Sequence, residues 1–367
     1  MCPRSSSRCC GGPGRATSRP SPCSSSPRGQ RTSAGRPSST AAPEPGTLPR
    51  RSTVRTAVSA ESRFADLATT VIDGYTVYRR PGTASAGESG DSAEARRAHD
   101  DGAALEDGAD ALPVLLLNGC AIAAASWAPV IEAMPDRDVI ASDRPGFAGT
   151  AWPGILPDLA TEIASMERAI SGHERVVIVA HSMASFRAEA FARLHPQRVA
   201  GIVLVDPSIE DYRHRGSAGA LSRATLLPIL GALTTRTEIG QLASLLSHRG
   251  FARQSGSGRA LDQAAFKDPY ADPETLKASL AEWLSYRSQG ADLHALRQST
   301  EPVGAPTSAL EAPPLSNLRR ERILGRAFAD LRRREVLDSR HLMMIDRPDV
   351  IVEAVDEVSR AARAAEA

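Results

Sequence analysis

Apolar residues in this chain form short continuous runs that alternate with stretches of helical spacing. Phe186, Ala190 and Leu194 recur on one helical face, and the chain closes with an amphipathic stretch, PDVIVEAVDEVSRAARAAEA, that begins at Pro348. The continuous runs are typical of strands that a parallel sheet buries on both sides. They lie at 113–119, 137–143, 176–181 and 199–206. The alternation predicts an α/β fold with a mostly parallel, doubly wound sheet.

Two regions depart from this alternation. Between Phe64 and Arg80, two short strand patterns meet at Asp73-Gly74, which is a strong hairpin signal. From 209 to 299 the pattern is helical, without a convincing strand. Strand patterns then resume in APTSALEA and REVLDSRH. A helical subdomain is therefore predicted as an insertion between strands of the sheet.

Composition divides the chain further. The first sixty residues are rich in Arg, Ser, Pro and Gly, and residues 83–110 hold eight acidic residues and no aromatic one. Neither stretch can bury enough apolar surface to offset its ordering entropy, so both are expected to be disordered or mobile. We therefore expect a disordered tail at 1–60, the N-terminal part of the core at 61–208 with an acidic insertion at 83–110, a helical cap at 209–299 and the C-terminal part of the core at 300–367.

Charge narrows the classes of partner. Ten arginines and one acidic residue give the tail about +9, which leaves the rest of the chain at about −8 of the total of +1. An acidic body argues against a nucleic-acid interface. Four of the five cysteines lie in the tail and only Cys120 in the body, so no disulfide framework is expected. The longest uncharged stretch, 111–131, contains two prolines and is a poor membrane span.

The tail also bears on location. It lacks the apolar run of a secretion signal, and its Arg/Ser-rich start resembles an organellar transit peptide. The chain has only two lysines, Lys267 and Lys277, among its 44 basic residues, a bias typical of GC-rich genomes. This bias favours a start assigned too far upstream over targeting. We therefore expect a cytoplasmic protein, and the sequence leaves its oligomeric state open.

Ser182 lies where a strand pattern turns into a helix pattern within about three residues, in VVIVAHSMASF. Small residues, Ala180 and Ala184, stand two positions before and after it, as a tight strand-to-helix turn requires. The motif resembles the nucleophile elbow, G-x-S-x-G, of the α/β-hydrolase family, with alanine at both glycine positions. The resemblance implies a nucleophilic serine on an α/β-hydrolase fold that needs no cofactor and no metal.

A serine nucleophile needs a base and an acid that orients the base. The stretch DSRHLMMIDRP is similar to the ending S-G-H-x(4)-D-x-P that many members of this family place before their final helix, which implies His341 as the base. His181, next to the serine, is interpreted as a packing residue. For the acid, most family members use the end of the strand before the last one, where this chain has only Glu311. A subset uses the end of the strand after the elbow helix, where this chain has Asp206, and we favour Asp206.

The oxyanion-binding N–H groups are also implied by the resemblance. One is expected from Met183, which follows the nucleophile at a helix N-terminus. The other is expected from Cys120 in NGCAIAAASW, which resembles the H-G-x-x loop of the family with Asn118 in place of histidine. A nucleophilic role for the Cys120 thiol is the less favoured interpretation. The stretch DRPGFAGT resembles another family turn, in which Asp143 is expected to hold the turn.

These features together predict a cofactor-independent serine hydrolase acting on a small ester-like substrate. Perhydrolysis, thioester cleavage and carbon–carbon hydrolysis use the same three residues and stay open. A hypothesis from a different class is a non-catalytic member of the fold that binds a small ligand under its helical cap. The alanines of the elbow and the empty usual acid position support that alternative.

Overall fold

The computed structural model of the protein describes residues 64, 67–82, 111–213, 237–256, 261–313 and 318–367. The expected tail at 1–60 and the acidic insertion at 83–110 lie outside the described residues, as does much of the N-terminal part of the expected cap. All the described residues belong to one compact unit, Thr56–Ala367.

The described strands form a single sheet of eight in the order β1-β2-β4-β3-β5-β6-β7-β8. Strands β3 to β8 pair in parallel, whereas β1 and β2 form an antiparallel hairpin that pairs antiparallel with β4. The mostly parallel sheet predicted from the sequence is thereby confirmed. The strands are β1 Ala68–Ile72, β2 Tyr75–Arg80, β3 Val114–Leu117, β4 Val139–Asp143, β5 Val176–His181, β6 Val199–Val205, β7 Thr307–Glu311 and β8 Leu331–Glu335.

The two ends of the sheet differ from its centre. At the first end, Asp73 and Gly74 both have positive φ, +50° and +82°, as a two-residue hairpin turn requires, and this confirms the predicted turn. At the other end, the strand predicted within REVLDSRH is misplaced, because β8 ends at Glu335. Strand β8 reads LRRRE and is only partly buried. An edge strand tolerates such charge, and this is why apolar patterning did not reveal it.

Helices cover both faces of the sheet. The described α-helices are α1 Ala128–Glu132, α2 Leu159–Ala169, α3 Ala184–Leu194, α4 Thr237–Ala252, α5 Gln263–Phe266, α6 Pro273–Arg297, α7 Leu318–Ala327, α8 Met343–Asp346 and α9 Pro348–Glu366. Alternate residues of the central strands separate into two apolar clusters: Leu116 and Val179 pack with α1 and α9, whereas Leu115 and Ile178 pack with α2, α3 and α7. The sheet is therefore doubly wound, as predicted.

Helices α4 to α6, with the short 3₁₀ helix Asp268–Ala271, connect β6 to β7, and we call them the helical insertion. Its longest member, α6, begins at Pro273, and the Asp272 side chain caps it by accepting the Glu274 N–H at 2.9 Å. Among the described residues, no helix combines the length and apolarity needed to cross a bilayer.

Candidate active site

Ser182 occupies a sharp turn between β5 and α3. Its φ is +52°, a left-handed conformation that costs a non-glycine residue about 1 kcal/mol or more and is concentrated at functional sites. Its N–H donates to the Val205 carbonyl at 3.0 Å, and its carbonyl accepts the Ser208 N–H at 3.0 Å. These bonds anchor the turn to the end of β6. The flanking alanines, Ala180 and Ala184, are fully buried, so only small side chains fit there.

Gly119 passes directly over this turn. A Cβ at position 119 would lie 2.5 Å from His181 Nδ1 and 3.1 Å from the Ser182 Cβ. No side chain fits at the first distance without a shift of the His181 ring. The glycine of the NGC sequence is therefore required so that the loop after β3 can lie against the serine.

Asp206 and His341 form a hydrogen-bonded pair at the same edge of the sheet. The His341 Nδ1 lies 2.6 Å from Asp206 Oδ2, and the second carboxylate oxygen accepts the Ala312 N–H at 3.2 Å. Asp206 follows β6 directly, and its φ of +41° is again left-handed. Residues 135 positions apart in sequence are thereby brought into contact next to the turn that carries Ser182.

Burial acts on the pKa of Asp206 in one direction and its partners act in the other. Burial would raise this pKa, but the hydrogen bond and charge of His341, the Ala312 N–H and the charge of Arg320 together lower it below the usual range. The carboxylate therefore stays ionised at neutral pH. An ionised carboxylate on Nδ1 favours the tautomer that leaves Nε2 of His341 free to accept a proton.

Glu311, the rival acid from the sequence, is engaged elsewhere. It is buried, and its two oxygens bind Arg320 at 2.8 Å and Arg333 at 2.5 Å. The His341 ring is hydrogen-bonded to Asp206 instead. Glu311 thus pairs with two arginines, Arg320 of α7 and Arg333 of β8.

His181 contacts both the backbone and the ring of His341. Its Nε2 lies 2.8 Å from the His341 carbonyl, and the two rings are 4.6 Å apart between centroids. Burial, reinforced by the charge of His341, lowers the pKa of His181 to about 3, so the ring is neutral and Nε2 is the protonated donor. The residue interpreted from sequence as packing therefore also holds the backbone of the His341 loop.

Asp346 fixes the other side of that loop. Its carboxylate accepts the N–H groups of Arg340 at 3.0 Å and of Gly256 at 2.7 Å, and the Ser255 hydroxyl at 2.5 Å. The aspartate of the H-x(4)-D-x-P pattern thus links the His341 loop to the segment after α4. His341 is held between β5 and the helical insertion.

The expected oxyanion donors lie on the two segments that flank Ser182. Met183 is fully buried between the serine and the first turn of α3. Cys120 follows Gly119, and the next residue, Ala121, has a φ of +57°. The Ala121 carbonyl accepts the Tyr270 hydroxyl at 2.6 Å, which ties this loop to the helical insertion.

A buried ion pair that sequence reasoning missed supports the same loop. Glu282 of α6 binds the Arg144 guanidinium through both oxygens and accepts the Ala121 N–H at 2.6 Å. Arg144 also donates to the carbonyls of Asn118 at 3.0 Å and Gly119 at 2.9 Å. Burial would lower the pKa of Arg144, but Glu282 raises it above the usual range. The pair therefore fixes the 118–121 loop with full charges on both sides.

The polar residues around Asn118 complete this support. Its side chain donates to the Ser142 carbonyl at 2.9 Å and accepts the Trp127 indole N–H at 2.9 Å. Asp143 accepts the Ala124 N–H at 2.7 Å and the Tyr78 hydroxyl at 3.1 Å, so it holds the loop after β3. The sequence predicted that Asp143 holds its own turn, whereas the partners of its side chain lie on strand β2 and on the segment after β3.

The Cys120 thiol is unsuited to nucleophilic chemistry. Burial, together with the charge of Glu282, raises its pKa to about 12, so the thiolate is scarce at neutral pH. Within the described ranges, no group of three or more His, Cys, Asp or Glu side chains is arranged to hold a metal ion. The chemistry available at this edge of the sheet is that of a serine hydroxyl at the turn after β5 and a histidine–aspartate pair at the end of β6.

A model of the alpha/beta hydrolase fold family matches residues 113–348. A curated relative, Abhydrolase domain-containing protein abhd-5.2 of Caenorhabditis elegans, is 28% identical over 102 residues. That match spans 26% of this chain and 23% of the relative, so it covers less than a quarter of the relative's length.

Solved structures match over most of their length at low identity. A Pseudomonas aeruginosa protein assigned as an epoxide hydrolase is 16% identical, with a TM-score of 0.59 over 82% of this chain and 97% of its own. The epoxide hydrolase CorEH is 16% identical, with a TM-score of 0.56 over 80% and 98%. A Salmonella enterica protein assigned as an acyltransferase is 15% identical, with a TM-score of 0.58 over 83% and 98%. At these identities the likeness is one of fold.

Proposed function

Because the chain belongs to the α/β-hydrolase fold family, we propose that it is a cofactor-independent serine hydrolase that cleaves a small carboxylic ester. Ser182 acts as the nucleophile, His341 as the base and Asp206 as the acid that orients His341. The observation that carries the proposal is the 2.6 Å bond between His341 Nδ1 and Asp206, at the same sheet edge as the strained turn of Ser182.

Each step has a residue suited to it. The Ser182 hydroxyl attacks the substrate carbonyl while His341 Nε2 takes its proton, and Asp206 stabilises the imidazolium that forms. The N–H groups of Cys120 and Met183 stabilise the developing oxyanion. His341 then gives the proton to the leaving alcohol, and water hydrolyses the acyl-enzyme by the same steps in reverse order.

Epoxide opening is the second candidate, because two of the matched proteins are described as epoxide hydrolases. In this family epoxides are opened by an aspartate nucleophile, whose carboxylate forms an ester intermediate. Position 182 has a serine hydroxyl in place of that carboxylate, so its side chain cannot form the same ester intermediate. The serine therefore favours ester hydrolysis.

The proposal is tested with a fluorophosphonate probe, which reacts covalently with an activated serine. We expect wild type to be labelled and to hydrolyse p-nitrophenyl esters, with both signals abolished in Ser182→Ala and kcat lowered by ~10⁴ or more. Ser185→Ala is the matched control. It removes a neighbouring buried serine hydroxyl, which donates to the Ser182 and Ser208 carbonyls, and it should remain labelled. Cys120→Ala should also remain labelled.

The outcomes separate the alternatives. Labelling that persists in Ser182→Ala would contradict the mechanism. A folded wild type with neither labelling nor turnover of any ester would favour the non-catalytic binding protein. Esters of increasing acyl length, thioesters and peroxide as acyl acceptor would then define which acyl-transfer reaction the enzyme prefers.

A further inference from the structure

A cleft lined by arginines lies apart from the candidate active site. Its volume is about 510 Å³, and it is formed by the C-terminal ends of α3 and α6, by α7 and by the segment after β6. Its charged lining residues are six arginines and one carboxylate: Arg193, Arg213, Arg297, Arg319, Arg322, Arg326 and Asp211. Arg193 follows Ser182 by eleven residues, which corresponds to ~16 Å along α3. The cleft is therefore a separate site.

The floor of the cleft is formed by two largely buried arginines, Arg193 and Arg297. Arg193 is almost fully buried and donates to Glu189, Thr300 and the carbonyls of Glu301 and Ala327. Arg297 binds the same Glu189 carboxylate at 2.8 and 2.5 Å. Two guanidinium groups thus share one buried carboxylate.

The remaining acid in the lining is also engaged. Asp211 binds the His294 ring, and its oxygen lies 3.8 Å from Arg297 Nη1. That Nη1 is buried and has no hydrogen-bond partner among the residues the structure describes. The two guanidinium groups of the floor are thus balanced by Glu189 and Asp211, and the net positive charge of the cleft comes from its other four arginines. Arg297 Nη1 is the buried donor that the described floor residues leave without a hydrogen-bond partner.

The wall of the cleft adds three exposed arginines from α7. Arg319, Arg322 and Arg326 follow a spacing of three and four residues, which places them on one helical face. None of the three forms an ion pair with any residue in the described part of the chain. Glu321 stands about 200° around the helix from Arg319 and is not in the lining. The helix thus separates its acid from this face.

Such a cluster is electrostatically costly without a counter-ion, because several like charges line one cleft. Guanidinium groups bind phosphate oxygens in bidentate geometry, and they are weakly hydrated. A volume of 510 Å³ lies in the usual range of small-molecule sites, roughly 300–1,000 Å³. We propose that this cleft binds a small molecule bearing a diphosphate or triphosphate group.

The test is calorimetric titration of the full-length protein with inorganic tripolyphosphate at low and physiological salt. The variant Arg322→Gln/Arg326→Gln removes two exposed wall charges. Its matched control is Arg332→Gln/Arg334→Gln, which removes two exposed charges from the edge strand β8. We expect Kd to rise roughly tenfold or more in the cleft variant and to stay within about twofold in the control.

The matched control matters because the arginine-rich tail also attracts polyanions, and both variants retain it. Equal weakening in both variants would mean general electrostatic attraction and would overturn the site. No binding of tripolyphosphate or pyrophosphate at low salt would overturn it as well. Citrate tests the phosphate assignment, because a tricarboxylate bound as tightly as tripolyphosphate would contradict it. The small-molecule site would also be refuted if an oligonucleotide bound more tightly than tripolyphosphate and both variants weakened its binding equally.

Discussion

Replacing Glu282 by methionine should strongly destabilise the fold. The Arg144 and Glu282 side chains are only 6% and 2% exposed, and they are paired. Removal of one partner of a buried ion pair leaves the other charge desolvated and uncompensated, which costs about 3–5 kcal/mol. Such a loss is a large fraction of the ~5–15 kcal/mol that stabilises a typical domain.

The contacts that remain decide where in this range the cost falls. Arg144 would keep its hydrogen bonds to the Asn118 and Gly119 carbonyls, at 3.0 and 2.9 Å, so its guanidinium is not left wholly unsatisfied. The Ala121 N–H is only partly buried and can form a hydrogen bond with water instead. We therefore expect the lower half of the range, about 3–4 kcal/mol, or a drop in Tm of roughly 10 °C.

Thermal and urea unfolding measure this effect. Glu353→Gln is the control, because Glu353 pairs with Arg334 at a site where both side chains are about half exposed. It should change stability by less than ~1 kcal/mol. The double variant Arg144→Met/Glu282→Met should recover most of the loss, since two apolar side chains replace two buried charges. A Glu282→Met protein within ~1 kcal/mol of wild type would refute the reasoning, as would a double variant less stable than either single one.

The remaining predictions concern the candidate site. Asp206→Asn should lower kcat by up to ~10⁴ in ester hydrolysis, whereas Glu311→Gln should lower Tm and leave kcat close to wild type; exchanged phenotypes would make Glu311 the acid. Because the folded-state pKa of Asp206 is lowered, its stabilisation is present above the unfolded value of ~3.9 and is lost as the pH falls further. The free-energy difference between wild type and Asp206→Asn should therefore narrow below about pH 4, and a constant difference in urea titrations would contradict this. Gly119→Ala should abolish probe labelling because its Cβ would meet His181, and Gly325→Ala, where no atom lies within 4 Å, should not affect it.

Local patterning was sufficient for most of the sheet and for the turn that carries Ser182. Continuous apolar runs predicted β3 to β6, and the Asp73-Gly74 pair predicted the hairpin, because these signals are contained in a few neighbouring residues. Strand β8 was misplaced because its sequence, LRRRE, carries no apolar period.

Contacts between distant residues were not readable in this way. Arg144 and Glu282 are 138 residues apart, and nothing in either local sequence shows that each is the other's partner. The choice between Asp206 and Glu311 has the same origin. What distinguishes the two carboxylates is that Arg320 and Arg333 surround Glu311, and Arg333 comes from a neighbouring strand.

The ties between the helical insertion and the 118–121 loop restrict how this protein can be recombined. The insertion supplies Glu282 and Tyr270 to that loop, and Arg144 of the core is desolvated in return. A chimera in which another family member's insertion replaced Thr237–Arg297 would remove Glu282. The buried Arg144 charge would then have no counter-ion. Successful grafts should need a compensating change at position 144. In this protein, exchange of the insertion therefore also requires changes in the core.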